Sequence, residues 1–229
     1  MLAKFIDRPR EDSLTAAVFG HLLHLPIELF WQLLMKACLR HELPNSPSEL
    51  EEILPLVPCD AQGTSNDQRV IPDLLLRFTE FDLLVEAKRW DRPMQSLEQL
   101  HNELRAYRNR FGNDKRMHML AIGGVTGAEK LNDGTSLSLC TWQGLLTQCR
   151  RLQKELRTNP ARVSQRSAHA RILEDTISLF RHHNFLPLKW FDDFDFHTSF
   201  LTDTQHAERD FFCQCSANLS LHELQHDRS

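Results

Sequence analysis

Long apolar runs are missing from this sequence. None reaches the roughly 18 residues that a bilayer-spanning helix needs, so no membrane association is expected. The opening stretch, Met1 to Arg10, lacks the apolar segment of a secretory signal. Glycine (8) and proline (10) are scarce and no short period recurs, which excludes collagen-like, coiled-coil and low-complexity readings. The six cysteines, Cys38, Cys59, Cys140, Cys149, Cys213 and Cys215, are too dispersed for a disulfide-stapled domain. Reduced thiols in a cytoplasm fit them better. Also missing are a phosphate-cradling glycine loop, a nucleophile elbow and a dinucleotide fingerprint. What remains is 229 residues of ordinary globular composition, 41% hydrophobic and 25% charged, enough for one sizeable core or two small domains. A soluble cytoplasmic protein is the expectation.

The net charge of −4 conceals three blocks, with balances of −7 over residues 1–87, +9 over 88–171 and −6 over 172–229. A basic middle between acidic ends suggests one anion-binding face, the kind that meets nucleic acid. Charge alone is equally served by solvated helix surface.

Apolar residues at helical spacing predict a first helix from Glu11 to about His24. Pro26 ends it and opens a second, Ile27 to about His41. Ser48-Glu49-Leu50-Glu51 has the form of a capping box and predicts a short third helix stopping before Pro55. Leu56–Cys59, Arg69–Phe78 and Asp82–Lys88 then read as strands, with a turn at Thr79–Asp82. A helix from Gln95 to about Arg110 stops at Gly112-Asn113-Asp114. Strands follow at Met117–Ile122 and Leu137–Thr141, and helices at Trp142 to about Thr158 and Ala168 to about His183. The pattern is α/β around a mixed sheet.

Chemistry concentrates at the hairpin Val70–Lys88. With the turn centred between Glu80 and Phe81, Asp73 lies across from Lys88 and Leu75 across from Glu86. Glu86 and Lys88, two apart, share a face, so one Asp, one Glu and one Lys converge within cross-strand reach. Two crowded carboxylates call for a cation. Hard divalent ions take one or two carboxylates plus waters and phosphate oxygens, and a neighbouring lysine stabilises charge developing on phosphorus. The set suits metal-assisted phosphodiester hydrolysis. The competing reading is a charge-balanced sheet face.

Pro72-Asp73, twelve residues, then Glu86-Ala87-Lys88 resembles the signature of the PD-(D/E)xK nuclease superfamily, the restriction-endonuclease-like fold. The resemblance covers about the first 125 residues. It implies an α-β-β-β-α-β core with a mixed central sheet and extra N- and C-terminal helices. It further implies Asp73, Glu86 and the Ala87 carbonyl as ligands of Mg²⁺ or Mn²⁺, with Lys88 as the catalytic cation. Glu11 resembles the carboxylate many members place on the first helix as a further ligand; otherwise it serves the helix dipole. Gln99 resembles the catalytic-helix glutamine of some branches, although Tyr107 lies eight residues on rather than four. Gln95, Gln99 and Glu103 share one helix face.

The implied activity is a divalent-metal-dependent nuclease, with DNA ahead of RNA, in restriction, invader defence or DNA repair. The alternative is a non-cutting nuclease-fold subunit that binds nucleic acid or protein. Arg105, Arg108, Arg110, Lys115 and Arg116, after the catalytic helix, are the expected phosphate contacts. The nuclease-like domain is expected over 1–185, with an acidic, aromatic extension over 186–229. That extension has no base-reading motif, so targeting is expected from a partner protein or self-association, with Trp190–Phe196 as docking segment. Cys213-x-Cys215 with His222 and His226 carries zinc-type ligands at spacing shorter than a finger's, and reads as reduced cysteines with surface histidines.

Overall fold

Seven consecutive buried residues, Phe81-Asp-Leu-Leu-Val-Glu-Ala87, make a strand covered on both faces, as a central strand flanked by helices must be. The computed structural model describes residues 11–186, apart from residues 67, 128, 132–134 and 159–162, and without the side chains of 11–13 and 163–167. These described residues fall in one unit spanning 1–187. The extension expected over 186–229 lies outside them except for Leu186, and with it Trp190–Phe196 and the Cys213, Cys215, His222 and His226 set.

The elements run α1 (Glu11–Leu22), α2 (Ile27–Ala37), β1 (Cys38–Arg40), β2 (Leu50–Pro55), β3 (Cys59–Asp60), β4 (Arg69–Val70), β5 (Leu74–Phe78), β6 (Phe81–Ala87), α3 (Leu97–Phe111), β7 (Arg116–Ile122), β8 (Ser136–Cys140), α4 (Trp142–Thr158) and α5 (Val163–His182). Six strands form a mixed sheet in the order β1-β8-β7-β6-β5-β2, and β3 pairs with β4 in a small ribbon. β5 is antiparallel to both its neighbours, β2 and β6, while β6, β7 and β8 run parallel, and β1 is antiparallel to β8. The protein is therefore mixed α/β, with five helices among the described residues. None of those helices is long and apolar enough to cross a membrane.

Strand alternation assigns the two layers. Phe81, Leu83, Val85 and Ala87 join Leu120, Ile122 and the apolar faces of α1, α2, α4 and α5 in the larger core. Leu84 joins Leu75, Met119, Ala121 and Leu139 under α3, where Leu100, Ala106 and Tyr107 pack. Trp31 and Trp142 are at most 1% exposed in the larger layer; burying one large apolar side chain stabilises by about 1.5–3 kcal/mol. Ser96 caps α3 by accepting from Gln99 N at 3.3 Å. Gly112, at φ 81°, ends it in a conformation that disfavours side-chain-bearing residues. Asp91 caps α4 from a distance, its carboxylate accepting from the Trp142 and Gln143 amides, each at 2.9 Å.

Four sequence expectations change. The capping-box helix after Ser48 is strand β2: Ser48 Oγ instead accepts from Glu80 N at 3.1 Å, holding the β5–β6 turn. Six residues before a proline cannot repay helix nucleation, whereas pairing with β5 occupies the backbone. Pro55 is tolerated because β2 is an edge strand. α2 stops at Ala37, and Cys38–Arg40 pair with β8 instead of continuing the helix. The weak strand at Leu56–Cys59 shrinks to Cys59–Asp60, Leu56 having a left-handed φ of 48°. The strand expected over Arg69–Phe78 breaks around Pro72 into β4 and β5.

Candidate active site

The β5–β6 register pairs Leu74 with Val85 and Arg77 with Asp82. Extending it puts Asp73 opposite Glu86, not opposite Lys88 as expected, because the turn is centred one residue earlier. The slip is two residues in register and so preserves the face. Asp73, just before β5, accepts from Ala87 N through Oδ2 at 2.7 Å. This bond ties the start of one strand to the end of the next.

Lys88 continues the parallel ladder, donating its backbone N–H to Ile122 O at 2.8 Å. Its carbonyl accepts from the Trp142 indole at 2.7 Å. Gly123, at φ 70°, follows β7 so closely that an added Cβ would lie 2.2 Å from Lys88 O. Only glycine fits there. With its backbone held on both sides, Lys88 places Nζ 2.7 Å from Glu86 Oε1, the two side chains being 13% and 3% exposed.

α3 covers this pair. Gln99 Nε2 donates to Glu86 Oε1 and, at 3.1 Å, to Glu103 Oε1. Gln95 Nε2 donates to Gly123 O at 3.2 Å and reaches Glu86 O at 3.5 Å. Glu103 is 1% exposed. Burial, and then the charge of neighbouring Glu86, hold its carboxyl well above the ordinary carboxylate range. Gln95 Oε1 and Glu103 Oε2 are buried acceptors with no donor.

Asp73, Glu86, Ala87, Lys88 and Gln99 are thus brought together. Glu11 starts α1, and its side chain lies outside those described. The five basic residues are not gathered here. The Arg105 guanidinium lies against the Gly63 loop, where an added Cβ would come within 3.1 Å of it. Arg108 donates to Thr135 Oγ1 at 3.1 Å, Arg110 donates to Pro58 O, and Lys115 Nζ sits 2.9 Å from Asp82 Oδ1. Arg108, Lys115 and Arg116 line a cleft of about 640 Å³ at the other end of the strands. That end is about 13 Å away along β6, at about 3.3 Å per residue.

Glu103 is the member to which the sequence assigned no role; Gln95 shares the helix face of Gln99, from which either glutamine could point to the site. Glu103 had a signal: it sits within the apolar arc Leu100, Leu104, Tyr107, at spacings that bury a side chain.

Among the described residues no group of three His, Cys, Asp or Glu side chains is arranged to hold a metal ion. The donor chemistry nevertheless fits a hard divalent cation, for which two carboxylates with waters suffice. Glu103 adds a third carboxyl group beside Glu86.

No protein-family model matches the chain, and no curated protein matches it significantly.

Proposed function

We propose that this chain is a divalent-metal-dependent nuclease of the PD-(D/E)xK type, hydrolysing phosphodiester bonds of DNA ahead of RNA. The setting we assign is restriction, invader defence or DNA repair, with targeting supplied by a partner protein or by self-association. The observation that carries the reading is the convergence of Asp73, Glu86 and Lys88 under Gln99 where β5 begins and β6 ends. Element order supports it. After α1, the antiparallel run β2, β5, β6, then α3, then parallel β7 follows the α-β-β-β-α-β order of the restriction-endonuclease-like fold.

Asp73 and Glu86 would hold Mg²⁺ or Mn²⁺, which when bound neutralises phosphate charge and acidifies a water. The Ala87 amide fixes one Asp73 oxygen. Gln99 orients Glu86. Lys88 brings a fixed positive charge to where phosphate oxygens gain negative charge in the transition state, and such preorganised charge costs no rearrangement during reaction.

A second reading, a nuclease-fold subunit that binds without cutting, is favoured by one observation. Glu86 Oε1 is already engaged by Lys88 and Gln99. The test is a purified-chain assay on supercoiled, linear and single-stranded DNA and on RNA with Mg²⁺ or Mn²⁺. Lys88→Ala should lower cleavage at least about 100-fold while keeping cation binding, since lysine offers no acceptor. Asp73→Ala and Glu86→Ala should lose both. Cation and nucleic-acid binding without cleavage by the unaltered chain would favour the second reading. Equal nicking by all four proteins would remove the site assignment.

A further inference from the structure

Cys38 and Cys140 are direct partners across the antiparallel β1–β8 pair. Their backbone bonds identify the kind of pair. The Cys38 N–H is taken by Met35 O as the cap of α2, and the Cys140 carbonyl accepts from Gly123 N, on the β7 side, at 3.0 Å. Within a strand a residue's N–H and C=O point the same way, so Cys140 turns both toward β7 and neither toward Cys38. This is a non-hydrogen-bonded pair, the closer of the two antiparallel kinds, with Cα atoms about 4.5 Å apart. That separation lies within the range a disulfide spans.

Both side chains sit on the same face, Cys140 in the larger core and Cys38 packed against it. The Cys38 thiol donates to Leu34 O at 3.2 Å and the Cys140 thiol to Thr141 O at 3.5 Å, so neither is held by a third side chain. β1 is an edge strand, and its register shifts between Cys38 and Arg40. Such an irregularity gives the backbone slack to adjust to a new covalent bond.

We propose that Cys38 and Cys140 are an oxidisable cross-strand dithiol, a modification site that peroxide closes to a disulfide and a thiol reductant reopens. Cys38 is partly exposed, whereas Cys140 is 0% exposed. Cys38 is therefore the sulfur that peroxide meets. Its thiolate attacks one peroxide oxygen, breaking the O–O bond to give Cys38 sulfenic acid and hydroxide, which takes a proton to become water. The Cys140 sulfur then attacks the Cys38 sulfur, the S–S bond forms, the S–O bond breaks, and the Cys140 proton leaves with the hydroxyl as a second water. The neighbouring Cys38 sulfur and burial hold the Cys140 thiol well above the ordinary range. Cys140 therefore acts as resolving partner rather than first nucleophile. The pair touches the candidate active site through the backbone: Gly123 packs on Lys88, and Trp142, two residues past Cys140, holds the Lys88 carbonyl.

The test treats the reduced full chain with hydrogen peroxide, blocks free thiols with N-ethylmaleimide after unfolding, and maps peptides with and without dithiothreitol. A peptide joining positions 38 and 140, lighter by two hydrogens and released by the reductant, is expected. Cys59 and Cys149 should carry the alkyl group. A Cys38→Ser chain treated identically should leave Cys140 fully alkylatable. Cys38 found as sulfinic or sulfonic acid beside an alkylated Cys140 would overturn the proposal. So would Cys38 joined to any other cysteine, or Cys140 oxidised equally without Cys38.

Discussion

Strand β6 carries two buried carboxylates on one face, Asp82 near its start and Glu86 near its end, both beneath α3. Their surroundings differ. Asp82 is fully buried and surrounded by donors: Arg77 Nε at 3.2 Å, Tyr107 Oη at 2.9 Å and Lys115 Nζ at 2.9 Å. The outer sides of the two cations reach Glu52 and Glu51 at 3.4 and 3.5 Å. Among the described residues Glu86 has one cation, Lys88, and it shares its space with Glu103 and the charge of Asp73. One end of the strand is a closed charge cluster. At the other, among the described residues, Gln95 Oε1 and Glu103 Oε2 lack a hydrogen-bond partner and face no cation, whereas Asp82 Oδ1, which also lacks one, faces the Lys115 ammonium at 2.9 Å. A buried group left short of compensation destabilises the fold. Under the proposed function, a cation and a phosphate would complete the set at the Glu86 end.

The largest expected effect belongs to the closed end. Asp82→Ala strips Arg77, Lys115 and Tyr107 of their common partner. Breaking a buried ion cluster by removing one member costs about 3–5 kcal/mol, to be read from the midpoint of urea unfolding. Cleavage per folded molecule should stay unchanged, because this residue lies about 13 Å along the strand from Glu86. A small stability loss, or an activity loss in folded protein, would erase the distinction between the two ends.

The next effect belongs to the open end. A ligand that binds only the folded state stabilises it by about 2.7 kcal/mol at one hundred times its dissociation constant. Adding Mn²⁺ should therefore raise the thermal midpoint of the unaltered chain. Asp73→Asn combined with Glu86→Gln should abolish that rise, whereas Asp82→Ala should keep it. A midpoint indifferent to Mn²⁺ would mean that the surplus carboxylates serve something other than a divalent ion.

Neither end could be told from the other in the sequence. Asp82 and Glu86 occupy equivalent positions in the same alternating strand, and only the partners brought by β2, β5 and the end of α3 separate them. β6, α3 and α4 were legible nearly to the residue because their apolar patterns are long and their caps explicit. β2 was not, since a capping-box pattern in six residues is overruled by pairing with β5. The hairpin slipped by two positions because polar residues from Thr79 to Asp82 allow several turn centres. An even slip returns every side chain to the same face, so the gathering of Asp73, Glu86 and Lys88 survived the error. Glu103, placed on the face of Gln95 and Gln99, was given no role because a glutamate on a charged helix reads as solvated. Its burial depends on α3 lying flat over β6.

The smallest effect concerns Glu103 and has the opposite sign to that of Asp82. Burial and the Glu86 charge hold its carboxyl well above the ordinary carboxylate range, so the folded chain holds a proton that the unfolded chain releases. Its contribution to stability is complete below about pH 4.3, the unfolded value, and declines as pH rises toward the folded one. Glu103→Gln keeps the shape of the protonated acid and removes the titration. The variant should be more stable than the unaltered chain at neutral pH. The gap should narrow on acidification and vanish below about pH 4.3. Urea unfolding of both proteins across that range, without divalent ions, measures it. A constant gap, or a variant less stable throughout, would show that Glu103 is compensated like Asp82 and that the open end is not crowded with charge.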